Sequence, residues 1–374
     1  MQLETDHKML TVLIEELHAK TRKKNEDLPQ EFVTRLAVNF GRLRALYWTL
    51  SGNSKSVNRD FSQLIQLLYE SYLKRDNDLK YLDRQRESQP DWLLHQKWVG
   101  MSLYAEHFNG DLKGFQEKLP YLQELGINLV HLMPVLMSPE NENDGGYAVS
   151  DYRQVRPELG KMSDIHSITE KFRKEGMLLV MDVVINHTSN QHKWAKKARK
   201  GKKKYQRYYF MYDDRSLPDQ YETSLPQIFP ESAPGNFTYL KDINKWVMTV
   251  FRNYQWDLNY KNPQVFIEMQ KVLIFLANQG VDILRLDAPA FIWKEMGTSC
   301  QNLPQAHTLL QLMKRSMQIV APGVKFIAEA IVRPQEIVKY FAKGTNDPEC
   351  DIAYHATLMA LIWNSLATSK VDLL

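Results

Sequence analysis

Three short segments, residues 180–187, 281–288 and 324–330, each place polar and charged side chains at the end of an apolar run. Such runs read as buried strands of a parallel sheet. In parallel α/β folds the strand C-termini converge on one face, where ligands bind. Arg285 and Asp287 stand two apart, so on a strand they share a face. A guanidinium fixed beside a carboxylate lowers its pKa and holds it ionised, which suits a nucleophile. Glu329, between Ala328 and Ala330, sits in an apolar setting that raises a carboxyl pKa and suits a proton donor. One ionised and one protonated carboxyl group, about 5 Å apart, is the division of labour in retaining glycoside hydrolysis. Each segment alone has a plainer reading. Asp287 could cap a helix, Glu329 could be a solvated strand end, His187 could be structural, and an Arg285–Asp287 ion pair could merely position loops. Three such segments on successive strands favour chemistry.

The elements that must carry these residues follow from periodicity. From about residue 100, apolar β-rich runs at 127–135, 177–185, 281–286 and 324–331 are interleaved with helical stretches such as 112–125 and 163–175. A weaker run covers 147–155 and another 351–354, which makes about six strands. A β-then-α rhythm implies parallel strands joined by helical crossovers. Both a (β/α)₈ barrel and an open doubly wound sheet fit it. Residues 1–95 read instead as all-helical. Met9, Leu10, Leu13, Ile14 and Leu17 recur at helix spacing, as do Val33, Leu36, Phe40, Leu43 and Tyr47, and again Phe61, Leu64, Ile65, Leu68 and Tyr72. Ser51-Gly52-Asn53 separates the second stripe from the third. The interval 187–258, dense in Lys, Tyr, Asp and Pro, is too long for a simple loop and reads as a subdomain inserted after the third strand, roofing a site.

Composition closes off other classes. The 374 residues carry 48 Lys and Arg against 44 Asp and Glu, a formal net charge of +4, too small an excess to name a partner. With 44% hydrophobic residues the chain is not disordered, and its length suggests two or three domains. Apolar runs such as 272–277 fall far short of the ~20 residues that span a bilayer. The first residues show no basic-then-apolar leader. Cys300 and Cys350 have no metal-like spacing, and a reducing cytoplasm is the simplest setting.

These residues resemble the α-amylase superfamily of retaining α-glycosidases and transglycosidases. Residues 182–187 are similar to its first signature segment, 280–288 to the second and 326–330 to the third. Residues 255–260 with Asn262-Pro263 resemble the segment that closes its inserted subdomain. Within the superfamily, residues 143–150 and 296–307 and the helical N-terminal region resemble the amylosucrases. The resemblance covers essentially the whole chain. It implies a (β/α)₈-type barrel, incomplete here, spanning 96–374. It implies Asp287 as nucleophile, Glu329 as general acid/base and Arg285 as the residue orienting the nucleophile. His187 and Asp144 would hydrogen-bond a glucosyl ring walled by Tyr147 and Phe251, although both aromatics could equally be core. The implied reaction moves the glucosyl unit of sucrose to an α-glucan with release of fructose, without metal or organic cofactor. A sucrose hydrolase, a trehalose-synthase-like relative and a non-catalytic remnant are the alternatives.

Part of the family pattern is missing: the fourth segment, a His-Asp pair, the C-terminal β-domain, and the arginine expected to pair with Asp144. The expectation is therefore an open barrel with little activity by itself, whose exposed edges invite self-association or a completing segment. The basic stretch 193–207 reads as a solvated helix and loop rather than a nucleic-acid site, because Asp213, Asp214, Asp219 and Glu222 follow it. Residues 140–145 with Asp151 mimic a calcium loop only in part. Asn186 matches a calcium ligand of true α-amylases, and no metal site is expected.

Overall fold

The computed structural model describes residues 2–22, 27–52, 56–341 and 349–372. Six parallel strands form the central sheet: β1 (Gly100–Leu103), β2 (Leu129–Leu132), β3 (Leu178–Val184), β4 (Ile283–Asp287), β5 (Lys325–Ala328) and β6 (Ile352–Ala353). Their spatial order is their chain order. An open doubly wound sheet reverses direction at a switch point, so sequential order decides for a barrel, here incomplete. The strand register sets the site: Arg285 of β4 lies directly opposite Asp182 of β3 and Ile327 of β5.

The strand count agrees with the expectation, but the membership does not. Gly100–Leu103 was not anticipated, because four residues with a single buried side chain give no apolar signal. The run at 147–155 yields Asp151–Val155, which lies outside the sheet and pairs antiparallel with Leu136–Met137 across an irregular register. Alternating polarity identifies a strand but not the sheet it joins.

Four helices precede the barrel: α1 (Gln2–Arg22), α2 (Gln30–Ser51), α3 (Val57–Leu73) and α4 (Asn77–Ser88). Leu36, Phe40, Leu43 and Tyr47 of the second stripe and all five residues of the third are buried; Val33 is half-buried. In the first stripe Leu13 and Leu17 are buried, with Met9, Leu10 and Ile14 packed beside them. Helix α2 stops at Gly52, whose φ of 59° an L side chain rarely adopts; Asn53 lies outside the described residues. These helices are fastened to the barrel by buried polar contacts. Arg75 pairs with Asp83 at 2.6 Å and donates to the Ala277 carbonyl at 2.9 Å. Arg86 Nη2 reaches Asp282 Oδ1 at 2.5 Å. Trp92 and Leu93 then pack against Leu178, Val180, Ile283 and Ile327 of β3 to β5.

The long interval after β3 is built as expected of an insertion. His187–Ser189 pairs antiparallel with Gln255–Asp257 and closes its base. Between them lies a three-stranded antiparallel sheet of Met211–Tyr212, Lys245–Met248 and Phe237–Leu240. A hydrophobic cluster of Phe210, Tyr221, Leu225, Phe237, Met248 and Val250 gives the insertion its own core, to which Cys300 is added from the loop after β4.

Candidate active site

Asp287 is the last residue of β4, Glu329 follows the last residue of β5, and the two strands are hydrogen-bonded neighbours. Both carboxylates therefore emerge at the same C-terminal rim. One guanidinium serves both: Arg285 Nη1 donates to Asp287 Oδ1 at 3.2 Å, and Nη2 lies 3.7 Å from Glu329 Oε1. The backbone N–H of Ala288 donates to Glu329 Oε2 at 3.1 Å.

Arg285 has a third acid partner. Its Nη1 also pairs with Asp182, its register partner on β3. Asp182 Oδ2 accepts from His131 Nε2 at 2.8 Å, and Ser102 Oγ lies 3.2 Å from the other ring nitrogen. Tyr147 joins this network, accepting from Arg285 Nη1 at 3.4 Å and donating to Asp182 Oδ1 at 3.5 Å. The Tyr354 ring, just past β6, lies 5.6 Å from the guanidinium carbon.

Three carboxylates around one arginine, Asp182 buried and Asp287 and Glu329 half-buried, change the electrostatics expected from neighbouring positions. Burial, then the charge of Glu329, push the Asp287 carboxyl up to about 8, and Arg285 offsets this only in part. Burial likewise raises Glu329, against the pull of Arg285 and the Ala288 amide. The expectation that Arg285 keeps Asp287 ionised is thus not met in this state: burial and the Glu329 charge outweigh the pull of Arg285, whose guanidinium also pairs with Asp182. The two carboxyl groups form one coupled titrating pair that retains a proton near neutral pH. Burial pulls the Arg285 pKa down, but Asp182, Tyr147 and Asp287 raise it further, so the guanidinium stays charged.

The other expected residues line the approach. Gly146, with φ +96°, carries the chain into Tyr147; a Cβ there would lie 2.7 Å from Pro134 Cβ, so only glycine fits. His187 is buried, and desolvation lowers its pKa to about 4, so it is neutral. Its Nε2 lies 3.2 Å from the Tyr147 carbonyl, and Asn186 Nδ2 lies 3.3 Å from Nδ1. A carbonyl only accepts, so Nε2 carries the proton. The Phe251 ring stands 5.3 Å from His187 and 5.1 Å from Phe291, half-buried, as one wall. Asp144 adopts φ 52° and accepts from Gln255 Nε2 at 3.2 Å, with Arg252 Nε 3.7 Å from its other oxygen. The structure thus supplies Asp144 with an arginine from the inserted segment. The structure thereby gathers Asp287, Glu329, Arg285 and Tyr147 in one network, with His187, Phe251 and Asp144 beside it.

Asp182, His131 and Tyr354 escaped sequence reasoning. Asp182 stood inside a quoted segment, but only the strand register reveals that it faces Arg285. Asn186, the residue that raised calcium, instead accepts from Lys294 Nζ at 3.1 Å. That ammonium also lies 2.7 Å from Asp257 Oδ1 and 2.7 Å from the Phe291 carbonyl, fully buried. A protein cation therefore neutralises this oxygen cluster. Among the described residues no group of three or more His, Cys, Asp or Glu could hold a metal. No helix among them is long and apolar enough to cross a membrane.

Comparison with known proteins places this geometry in context. Residues 66–374 match the alpha amylase catalytic domain. Trehalose synthase/amylase of Mycobacterium tuberculosis is 34% identical over 280 residues, covering 73% of this chain and 46% of that protein. Glucosylglycerate phosphorylase of Escherichia coli is 31% identical over 281 residues, covering 74% and 48%. Among solved structures, a trehalulose synthase variant with the substrate sucrose superposes with a TM-score of 0.61 at 28% identity, covering 71% of this chain and 49% of that one. The chain thus spans less than half the length of the curated relatives it matches.

Proposed function

The chain belongs to the alpha-amylase catalytic-domain family, and on that premise we propose that it carries the catalytic half-site of a retaining transglucosylase acting on α-glucosyl disaccharides. The observation behind this reading is the single guanidinium shared by two carboxylates at adjacent strand ends. Glu329 protonates the glycosidic oxygen as Asp287 attacks the anomeric carbon, giving a glucosyl ester and releasing the leaving sugar. Glu329 then takes the proton from an acceptor hydroxyl, whose oxygen displaces Asp287, so two inversions retain configuration. Arg285 orients Asp287, while Asp144, His187, Tyr147 and Phe251 surround the transferred ring. Residues 1–95 act as a helical domain, 96–374 as the barrel and 187–258 as its inserted subdomain.

The relatives named trehalose synthase favour a trehalose-synthase-like enzyme. An amylosucrase-type reaction is the second reading, favoured by residues 143–150 and 296–307 and by the sucrose bound in the similar fold. Incubation with maltose, trehalose and sucrose separates them. Trehalose formed from maltose supports the first reading. Fructose with an iodine-staining polymer from sucrose supports the second. Failure to transform any of the three, by the chain within its complete protein, would remove both.

A further inference from the structure

Ala288 links the two carboxylates of the site, and its backbone is in the wrong place for an alanine. Its φ of 51° and ψ of 43° lie in the left-handed region, which a Cβ makes unfavourable. Pro289 follows, and a residue before proline is pushed toward extended backbone. Both local preferences are overridden, and the residue is 5% exposed. Strain of this kind persists only where surroundings impose it, and it gathers at functional sites.

The conformation determines where one N–H points. Up to Leu286, β4 runs in the ordinary ladder, and the Leu286 carbonyl accepts from the Glu329 N–H at 3.1 Å. At Ala288 the chain swings over, its carbonyl accepts from Phe291 N–H at 3.1 Å, and its own N–H meets Glu329 Oε2. Oε2 is thus held by the Ala288 amide while Oε1 faces the Arg285 guanidinium at 3.7 Å, so the carboxyl plane is fixed from both sides. We propose that Ala288 is a positioning residue whose left-handed backbone holds the Glu329 carboxyl in one orientation against Arg285. The inference rests on the reading of Glu329 as the acid/base, but its test needs no turnover.

The full chain is labelled with [15N]alanine and [δ-13C]glutamate, and spectra are followed with pH. Glu329→Gln assigns the Glu329 carboxyl signal, and Ala288→Gly assigns the Ala288 amide. In the unaltered chain the Ala288 amide is expected to show a step at the Glu329 carboxyl midpoint, and in Glu329→Gln that step vanishes, leaving only the movement that follows Asp287, its neighbour in sequence. Ala288→Gly, which keeps an N–H and tolerates positive φ, leaves the Glu329 midpoint in place. Ala288→Val, which resists positive φ, raises it by about one pH unit because the donor to the charged form is lost. An Ala288 amide that stays flat while Glu329 titrates overturns the proposal, even if the valine variant does not fold. A folded valine variant with an unchanged Glu329 midpoint overturns it too. Because both readouts are spectroscopic, a chain that transforms no sugar counts against the proposed function and leaves this test intact.

Discussion

Asp287 costs the fold stability whenever it is ionised. Its folded pKa of about 8 lies above the ordinary carboxylate value near 4. Between those values the native state binds the proton more tightly than the unfolded chain does, so stability falls as pH rises through the window. Asp287→Asn should therefore raise the melting temperature by a few degrees at pH 8 and by much less at pH 4. Thermal scans at both pH values check this, and an equal shift at the two would show that Asp287 is not perturbed. At Lys294 the sign is opposite. Removing its ammonium in Lys294→Met strands the Asp257 carboxylate, which is wholly buried. We expect a loss of about 3–5 kcal/mol in urea unfolding. Lys294→Met combined with Asp257→Asn should recover part of that loss. How much of this was legible in the sequence depended on what neighbouring positions reveal. Arg285 beside Asp287 was visible from a spacing of two. The burial and the neighbouring Glu329 charge that raise Asp287 arise only once β4 and β5 lie side by side, and Asp182 faces Arg285 from 103 residues away.

Elements were legible where burial imposes a long period. The stripes of α2 and α3 span several turns, and 3.6-residue spacing leaves little ambiguity. Strand β1 offers four residues and one buried side chain, too little for any pattern. The helix Pro263–Asn278 shows a different limit. Its face is nearly all apolar, yet Gln270 is fully buried with neither Oε1 nor Nε2 hydrogen-bonded among the described residues. A buried polar group without a partner is costly. Gln270→Leu should stabilise the chain by about 1–3 kcal/mol in urea unfolding. A destabilised variant would show that the amide has a partner the protein atoms do not supply.

At the scale of the molecule, two features set behaviour. The N-terminal helices are tied to the barrel through Arg75 and Arg86, whose partners Asp83 and Asp282 are each 1% exposed. Heat should unfold the helical region and the barrel in one transition. Two separated transitions, or an Arg86→Ala variant as stable as the parent, would contradict that coupling. The helix Ala356–Thr368 next to β6 leaves Met359, Trp363 and Leu366 exposed, an apolar row on the flank of the incomplete barrel. Such patches promote association. Sedimentation should show concentration-dependent self-association of this 374-residue chain, relieved by Trp363→Glu with Leu366→Lys. Sequence order placed this flank, while its exposure emerges only from the folded arrangement.

The central claim is that Asp287 and Glu329 act as one retaining pair. Its most direct test is to trap the glucosyl ester with 5-fluoro-α-glucosyl fluoride, whose second step is slow, and to map the label by peptide mass spectrometry. The account predicts the added mass on the peptide holding Asp287, absent in Asp287→Asn and still formed in Glu329→Gln, because fluoride leaves with little help from an acid. A label on any other side chain, or a glucosyl product of inverted anomeric configuration, would contradict it.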